Sequence, residues 1–359
     1  MTQSIELEEN PARAARFLAE NKGIGLVIGR EGLASFWLPA PTGGYVTFHH
    51  SPSVGTPSNT WCMGVYFVPA GGVIPARCYM RTTGYYSVVA GQAELVLEGK
   101  TQILEPGDSL YVERLNEHSF RNSGSGELEL LWQTWYTGAD VFIEECGIPR
   151  KAGEKQPGEI AFTPEQSSRW AEAKDWWAGP LASPNALHGI NNSHATRRGE
   201  AFVVRREDGS SSWSPGEDMQ GFITQKISPF NTAQQQFGIH WQYLHTGMQI
   251  PPHLHMRNEE MLFVMDGHGY AQFDDGEKVP IEQGSSVWVG RYVRHTMVAA
   301  PDTTMNIQFT ITPPSLDVFF TDMGKPRKPG DPQADIFPID ESAFPALKQS
   351  WIPYEGQLD

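Results

Sequence analysis

At 359 residues the chain exceeds the size at which one core usually stops growing, so two domains are expected, each long enough to bury a core. Glycine (36) and proline (27) are plentiful and charged residues make up 19%, without any long heptad run, which favours a turn-rich β protein over a helical one. A net charge of -15, spread along the chain, argues against nucleic acid and anionic lipid as partners, and no window reaches the roughly eighteen apolar residues that span a bilayer.

The chain opens on a segment with no basic region followed by an apolar one, so a cytoplasmic protein is expected. Residues 9–22 read as a helix, with Asn10 as N-cap and Pro11 at the first helical position. Short runs rich in Val, Ile, Phe, Tyr and Trp follow: GVYFV, YYSVVAG, AELVLEG, SLYVERL and LELLWQTW, separated by Gly, Asp and Pro turns. Residues 150 to 235 link the two sets, with a helix over 164–178 and many Gly, Ser, Pro and Asn residues elsewhere. A second set of strand-like runs then appears: IHWQYL, EMLFVMDG, YAQFDDG, SSVWVG and MNIQFTIT. Strands of this length joined by tight turns argue for antiparallel barrels or sandwiches, not βαβ units. The last 35 residues, rich in Pro and Asp, read as an arm. Cys62, Cys78 and Cys146 are odd in number and far apart, which suggests neither a disulfide framework nor a thiolate metal site.

The two sets are copies of one pattern. Asp140-Val141-Phe142, Gly147 and Pro149-Arg150 recur as Asp317-Val318-Phe319, Gly324 and Pro326-Arg327, each offset by 177 residues. Gly107 and His118 reappear at the same offset as Gly284 and His295, and Gly91 corresponds to Gly267 at 176. Such an internal repeat predicts one fold built twice.

Chemistry concentrates in the second copy. His253 and His255 are two residues apart, so on a strand both imidazoles project from the same face. Glu260 opens the next strand and His295 arrives from a third. Three neutral nitrogens and one carboxylate, with positions left open, suit a catalytic divalent ion and do not form a closed structural site.

This spacing resembles the cupin superfamily. Its first motif, G-x5-H-x-H-x4-E-x6-G, is complete in Gly247, His253, His255, Glu260 and Gly267. Its second keeps Gly284 and His295 but has Gly290, Tyr292 and Ala299 where the motif has Pro, Gly and Asn. In the first copy, Arg77, Tyr79 and Gly84 stand in place of His253, His255 and Glu260, and only His118 remains. The resemblance implies an all-β bicupin, two jelly-roll barrels in tandem with a few short helices and a single metal centre. The expected divisions are an N-terminal barrel with a helical arm over 1–150, a linker over 151–234, and a metal-binding barrel with its arm over 235–359.

Bicupins of this size resemble ring-cleaving dioxygenases of the quercetin, gentisate and hydroquinone types, and oxalate decarboxylases. The likeness implies Fe(II), with Mn, Ni or Cu as alternatives, and a small aromatic substrate attacked by O2. Glu260 would be a permanent ligand or a general base. The candidate substrate wall is Trp241, Tyr243, His245, Leu262, Val264 and Trp288. The competing readings are a non-oxidative decarboxylase, lyase or isomerase, and a non-catalytic binding protein. An oxalate site would need a buried cation, for which Arg257 and Arg291 are the candidates. The arms offer material to cover barrel edges, which predicts a homo-oligomer and leaves room for a second, different subunit.

Overall fold

The computed structural model describes residues 22–56, 60–79, 82–135, 138–156, 160–171, 198–314, 316–338 and 352–353. Within them the chain is mostly strand and divides into two compact units, one spanning Arg30–Asp208 and the other combining Met1–Gly29 with Gly209–Asp359. Each unit is a jelly roll of two antiparallel sheets. Among the described residues no helix is long and apolar enough to cross a membrane.

In the first unit an eight-stranded sheet runs in the order Ile148–Pro149, Ala34–Trp37, Tyr45–His50, Trp61–Val68, Leu128–Trp135, Thr83–Ala90, Ser109–Val112, Ala201–Val204. A four-stranded sheet of Val73–Cys78, Glu117–Asn122, Ala93–Leu97 and Lys100–Leu104 lies over it. The strand Ala93–Leu97 alternates buried and half-buried positions, so Ala93, Leu95 and Leu97 enter the core while Glu94 and Val96 stay outside.

The second unit repeats this plan. Its eight-stranded sheet is ordered Gly25–Ile28, Ser286–Val289, Glu259–Asp266, Met305–Thr312, Gly238–Leu244, Gly221–Ile227, Ser210–Trp213, Lys325–Arg327. The opposing sheet holds Val279–Glu282, His268–Phe273, His295–Ala299, Gln249–Leu254 and Ile352–Pro353. Leu244, Leu262, Ile307 and Phe309 from the first sheet meet Ile250, Ala271 and Met297 from the second in one apolar cluster. The register is the same in both units. Gly84 pairs with Val112 as Glu260 pairs with Val289, and His118 with Arg77 as His295 with His253.

The unit boundaries differ from the divisions at 150 and 234. Gly25–Ile28, early in the chain, pairs with Ser286–Val289 of the second unit, whereas Ala201–Val204 pairs with Ser109–Val112 of the first. The supposed linker therefore contributes strands to both units, because AFVV and GFITQKI are apolar enough to pair at or near a sheet edge. The expected helix over 164–178 is observed as Pro164–Ala171, with Trp170 buried; its later residues, and the expected helix over 9–22 except Lys22, lie outside the described residues. The C-terminal arm places Ile352–Pro353 against Leu254 and His253 in strand register.

Candidate metal centre

His253, His255, Glu260 and His295 are all buried, and one ligand atom from each lies within 4.8 Å of the others. His253 and His295 come from paired strands of one sheet, their rings 4.1 Å apart. Glu260 comes from the opposite sheet, so the cluster sits between the two layers. His255 follows the end of its strand, and its carbonyl accepts the amide of Tyr292 at 2.8 Å.

That turn holds one of the departures from the second motif. Tyr292 has φ 61, the left-handed region that usually selects glycine, and Leu115 at the matching place in the first unit has φ 63. Leu115 likewise donates its amide to the carbonyl of Tyr79. Both turns hold a side chain where backbone sterics cost about 1–2 kcal/mol, and both tie the turn to the position of the second motif histidine.

Backbone carbonyls fix the imidazoles. Nδ1 of His253 is 2.8 Å from the Pro251 oxygen and Nδ1 of His295 is 3.0 Å from the Val293 oxygen. A carbonyl only accepts, so Nδ1 carries the hydrogen and Nε2 of a neutral ring presents a lone pair. Burial first, then the neighbouring His295 and His255, push His253 well below the usual range and keep it neutral. Burial pushes the Glu260 carboxyl up, but a proton carried at Nε2 of His255 or His295, hydrogen-bonded to the carboxylate, outweighs it and holds the group well below the usual range. Oε2 of Glu260 lies 3.0 Å from Nε2 of His295 and 3.3 Å from Nε2 of His255. Lone pairs on a carboxylate and a neutral imidazole repel at this distance unless a cation lies between them. A proton would serve, and so would a divalent ion bound at about 2.0–2.2 Å from each donor. The three-nitrogen, one-carboxylate set thus fits a divalent metal.

The first unit shows what replaces the set. Arg77 donates to the Pro75 oxygen at 2.9 Å, and His118 keeps Nδ1 3.2 Å from the Asn116 oxygen, the counterparts of the Pro251 and Val293 contacts. Nε2 of His118 meets the Tyr86 hydroxyl at 3.3 Å, and that hydroxyl is hydrogen-bonded to Tyr79. The ring of Tyr79 occupies the volume next to Gly84, where an added Cβ would lie 2.7 Å from Cε2. Guanidinium, phenols and one histidine offer no comparable set of lone pairs. Among the described residues no second group of metal-ligating side chains is found.

Beside the four-residue set lies a narrow cavity of about 20 Å³, room for about one water molecule. His253 and Glu260 form one wall; Met219, Gln242, Ile250, Met297 and Phe309 form the sides, and the helix Leu316–Met323 supplies Leu316, Phe319 and Phe320. No lysine or arginine is among these residues, and Arg257 and Arg291 are exposed. Leu262 and Val264 share the pleat of Glu260 and pack in the core next to the cavity without lining it. Trp241, Tyr243 and Trp288 lie on the opposite pleat. Trp241 pairs with Gln308, Tyr243 with Asn306 and Trp288 with Met261, while the cavity side carries Gln242, Ile307, Glu260 and Val287. His245 lies beyond its strand and bonds Gln333 at 2.8 Å. The wall is thus not the one expected from sequence. Gln242 and the helical aromatics were missed, although the spacing of Leu316, Phe319, Phe320 and Met323 marks an apolar helix face.

Residues 65–134 and 240–312 each match the cupin domain family. The fold is shared with a Pseudomonas aeruginosa protein named for glyoxylate induction, at 12% identity over 81% of this chain and 90% of that one, with a TM-score of 0.53. It is also shared with procruciferin, an 11S globulin of Brassica napus (13% identity, 80% and 85% covered, TM-score 0.51), and with the E. coli protein Ylba (10%, 81% and 92%, 0.50). At such identities the likeness is one of fold. No curated protein sequence matches the chain significantly.

Proposed function

Because the chain is a bicupin with two cupin domains and one complete donor set, we propose that it is a metal-dependent dioxygenase that opens a hydroxylated aromatic ring with O2. The observation that carries this reading is the apolar cavity joined to the donor set, whose lining among the described residues contains no lysine or arginine. A small dianion such as oxalate has no apolar face to set against such a lining. A single hydroxylated ring would instead bury its faces against Ile250, Met297, Phe309 and Phe319.

In this reading His253, His255 and His295 hold the ion through Nε2, and Glu260 adds a negative ligand. Bound there, Fe(II), or Mn, Ni or Cu, would lower the pKa of a substrate hydroxyl and offer redox chemistry toward O2. Glu260 would act either as that permanent ligand or, released from the ion, as the acceptor of the hydroxyl proton at a carboxylate oxygen. Phe309, Phe319 and Phe320 exclude water from the ring face.

The test is turnover of dihydroxybenzenes and hydroxybenzoates by metal-replete protein in an oxygen electrode. One O2 consumed per ring opened supports the proposal. Equal turnover of the same compound without oxygen rejects it in favour of a non-oxidative lyase.

A further inference from the structure

We propose that Gln242 selects and orients the substrate, donating a hydrogen bond from Nε2 to an acceptor oxygen on a monocyclic ligand whose hydroxyl is carried by the His253, His255, Glu260 and His295 set. This rests on reading that set as a metal centre. Gln242 is 3% exposed and lines the same cavity as His253 and Glu260. Its Nε2 is fully buried, with no hydrogen-bond partner among the described residues. Leaving such a donor unmade costs about 1–3 kcal/mol, a cost that a ligand oxygen in the cavity would remove.

The surroundings leave a ligand as the natural acceptor. On the same pleat the neighbours of Gln242 across the sheet are Ile223 and Ile307, both apolar. Apart from His253 and Glu260, the remaining lining residues are Met, Ile, Leu and Phe. The Gln308 amide, which accepts from Trp241 Nε1, lies on the other pleat. Gln242 also sits on a strand hydrogen-bonded on both sides, to Gly221–Ile227 and Met305–Thr312, so its position is fixed by the scaffold and not by a loop. In the first unit, which lacks the donor set, the matching position opposite Leu130 is Tyr66, packed in the core.

The ligand class follows. It has a flat apolar body, one hydroxyl for the four-residue set and a second oxygen that accepts: a carboxylate, carbonyl or phenolate. A ring with a single hydroxyl leaves the amide unsatisfied.

Metal-loaded, oxygen-free protein would be titrated with 2-hydroxybenzoate and with phenol, in wild type, Gln242→Leu and the closer isostere Gln242→Met. Wild type is expected to prefer 2-hydroxybenzoate by about 10- to 100-fold, the range of a hydrogen bond to a charged group. Both variants should bring the two affinities to within about threefold, the margin of uncertainty usual for such single contacts, with phenol binding and metal content unchanged. A metal-loaded Gln242→Met protein that keeps the wild-type preference overturns the assignment, as does a wild type with no preference. A wild type that takes up no metal overturns the metal-centre reading instead, and metal analysis before titration separates the two failures.

Discussion

Nε2 of His295 and Oε2 of Glu260 approach to 3.0 Å across the gap between the two sheets of the second unit. Two lone-pair-bearing atoms held this close by opposing strands make an affinity for cations part of the fold.

Removing one partner should therefore strip the ion and leave the barrel. His295→Ala is expected to lower bound metal from about one equivalent to less than a tenth, since a lost ligand typically costs more than the 10–100-fold measured for outer contacts. Elemental analysis beside far-UV circular dichroism checks this. Metal retained at full occupancy would remove His295 from the ligand set.

The first unit should hold no ion. His118 faces Tyr86 and Tyr79, with Arg77 at the position of His253, so His118→Ala should leave the metal content of the whole chain unchanged. Loss of an equivalent in that variant would reveal a second centre.

Gly84 stands in the register of Glu260, and a methyl there meets Tyr79 Cε2 at 2.7 Å and Tyr86 Cε2 and Val112 Cγ1 at 3.2 Å. Gly84→Ala is expected to destabilise the first unit by about 1–3 kcal/mol through overpacking. In urea unfolding its midpoint should fall, and adding Tyr79→Leu should restore part of the loss, a coupling between touching residues that a double-mutant cycle measures.

Acid should loosen the same unit. Burial first, with Arg77 opposing any charge, lowers His118 to about 4, against the accepting oxygen of Asn116. Tyr79, Tyr86 and Arg77 are the titratable groups around it. The folded state binds this proton more weakly than the unfolded chain, so the stability contribution is complete above about 6.5 and is lost as pH falls toward 4. The slope for one such histidine approaches about 1.4 kcal/mol per pH unit. His118→Phe should flatten that part of the stability profile, and an unchanged profile would show that His118 does not titrate on unfolding.

The sequence by itself determined the duplication, the β class and the four candidate ligands. Those features rest on motif spacing and on a repeat of fixed offset, both readable along the chain without its fold, and the loss of ligands at Arg77, Tyr79 and Gly84 was legible for the same reason. Only the tertiary structure decided which unit Gly25–Ile28 and Ala201–Val204 join, since edge pairing depends on partners far away in sequence. It also decided the cavity wall. Trp241 and Gln242 are adjacent in sequence, but a strand sends successive side chains to opposite faces, and which face meets the donor set is fixed by register with Met305–Thr312. That pairing turned the expected aromatics Trp241, Tyr243 and Trp288 away and brought Gln242 and a helix some seventy residues later to the cavity instead.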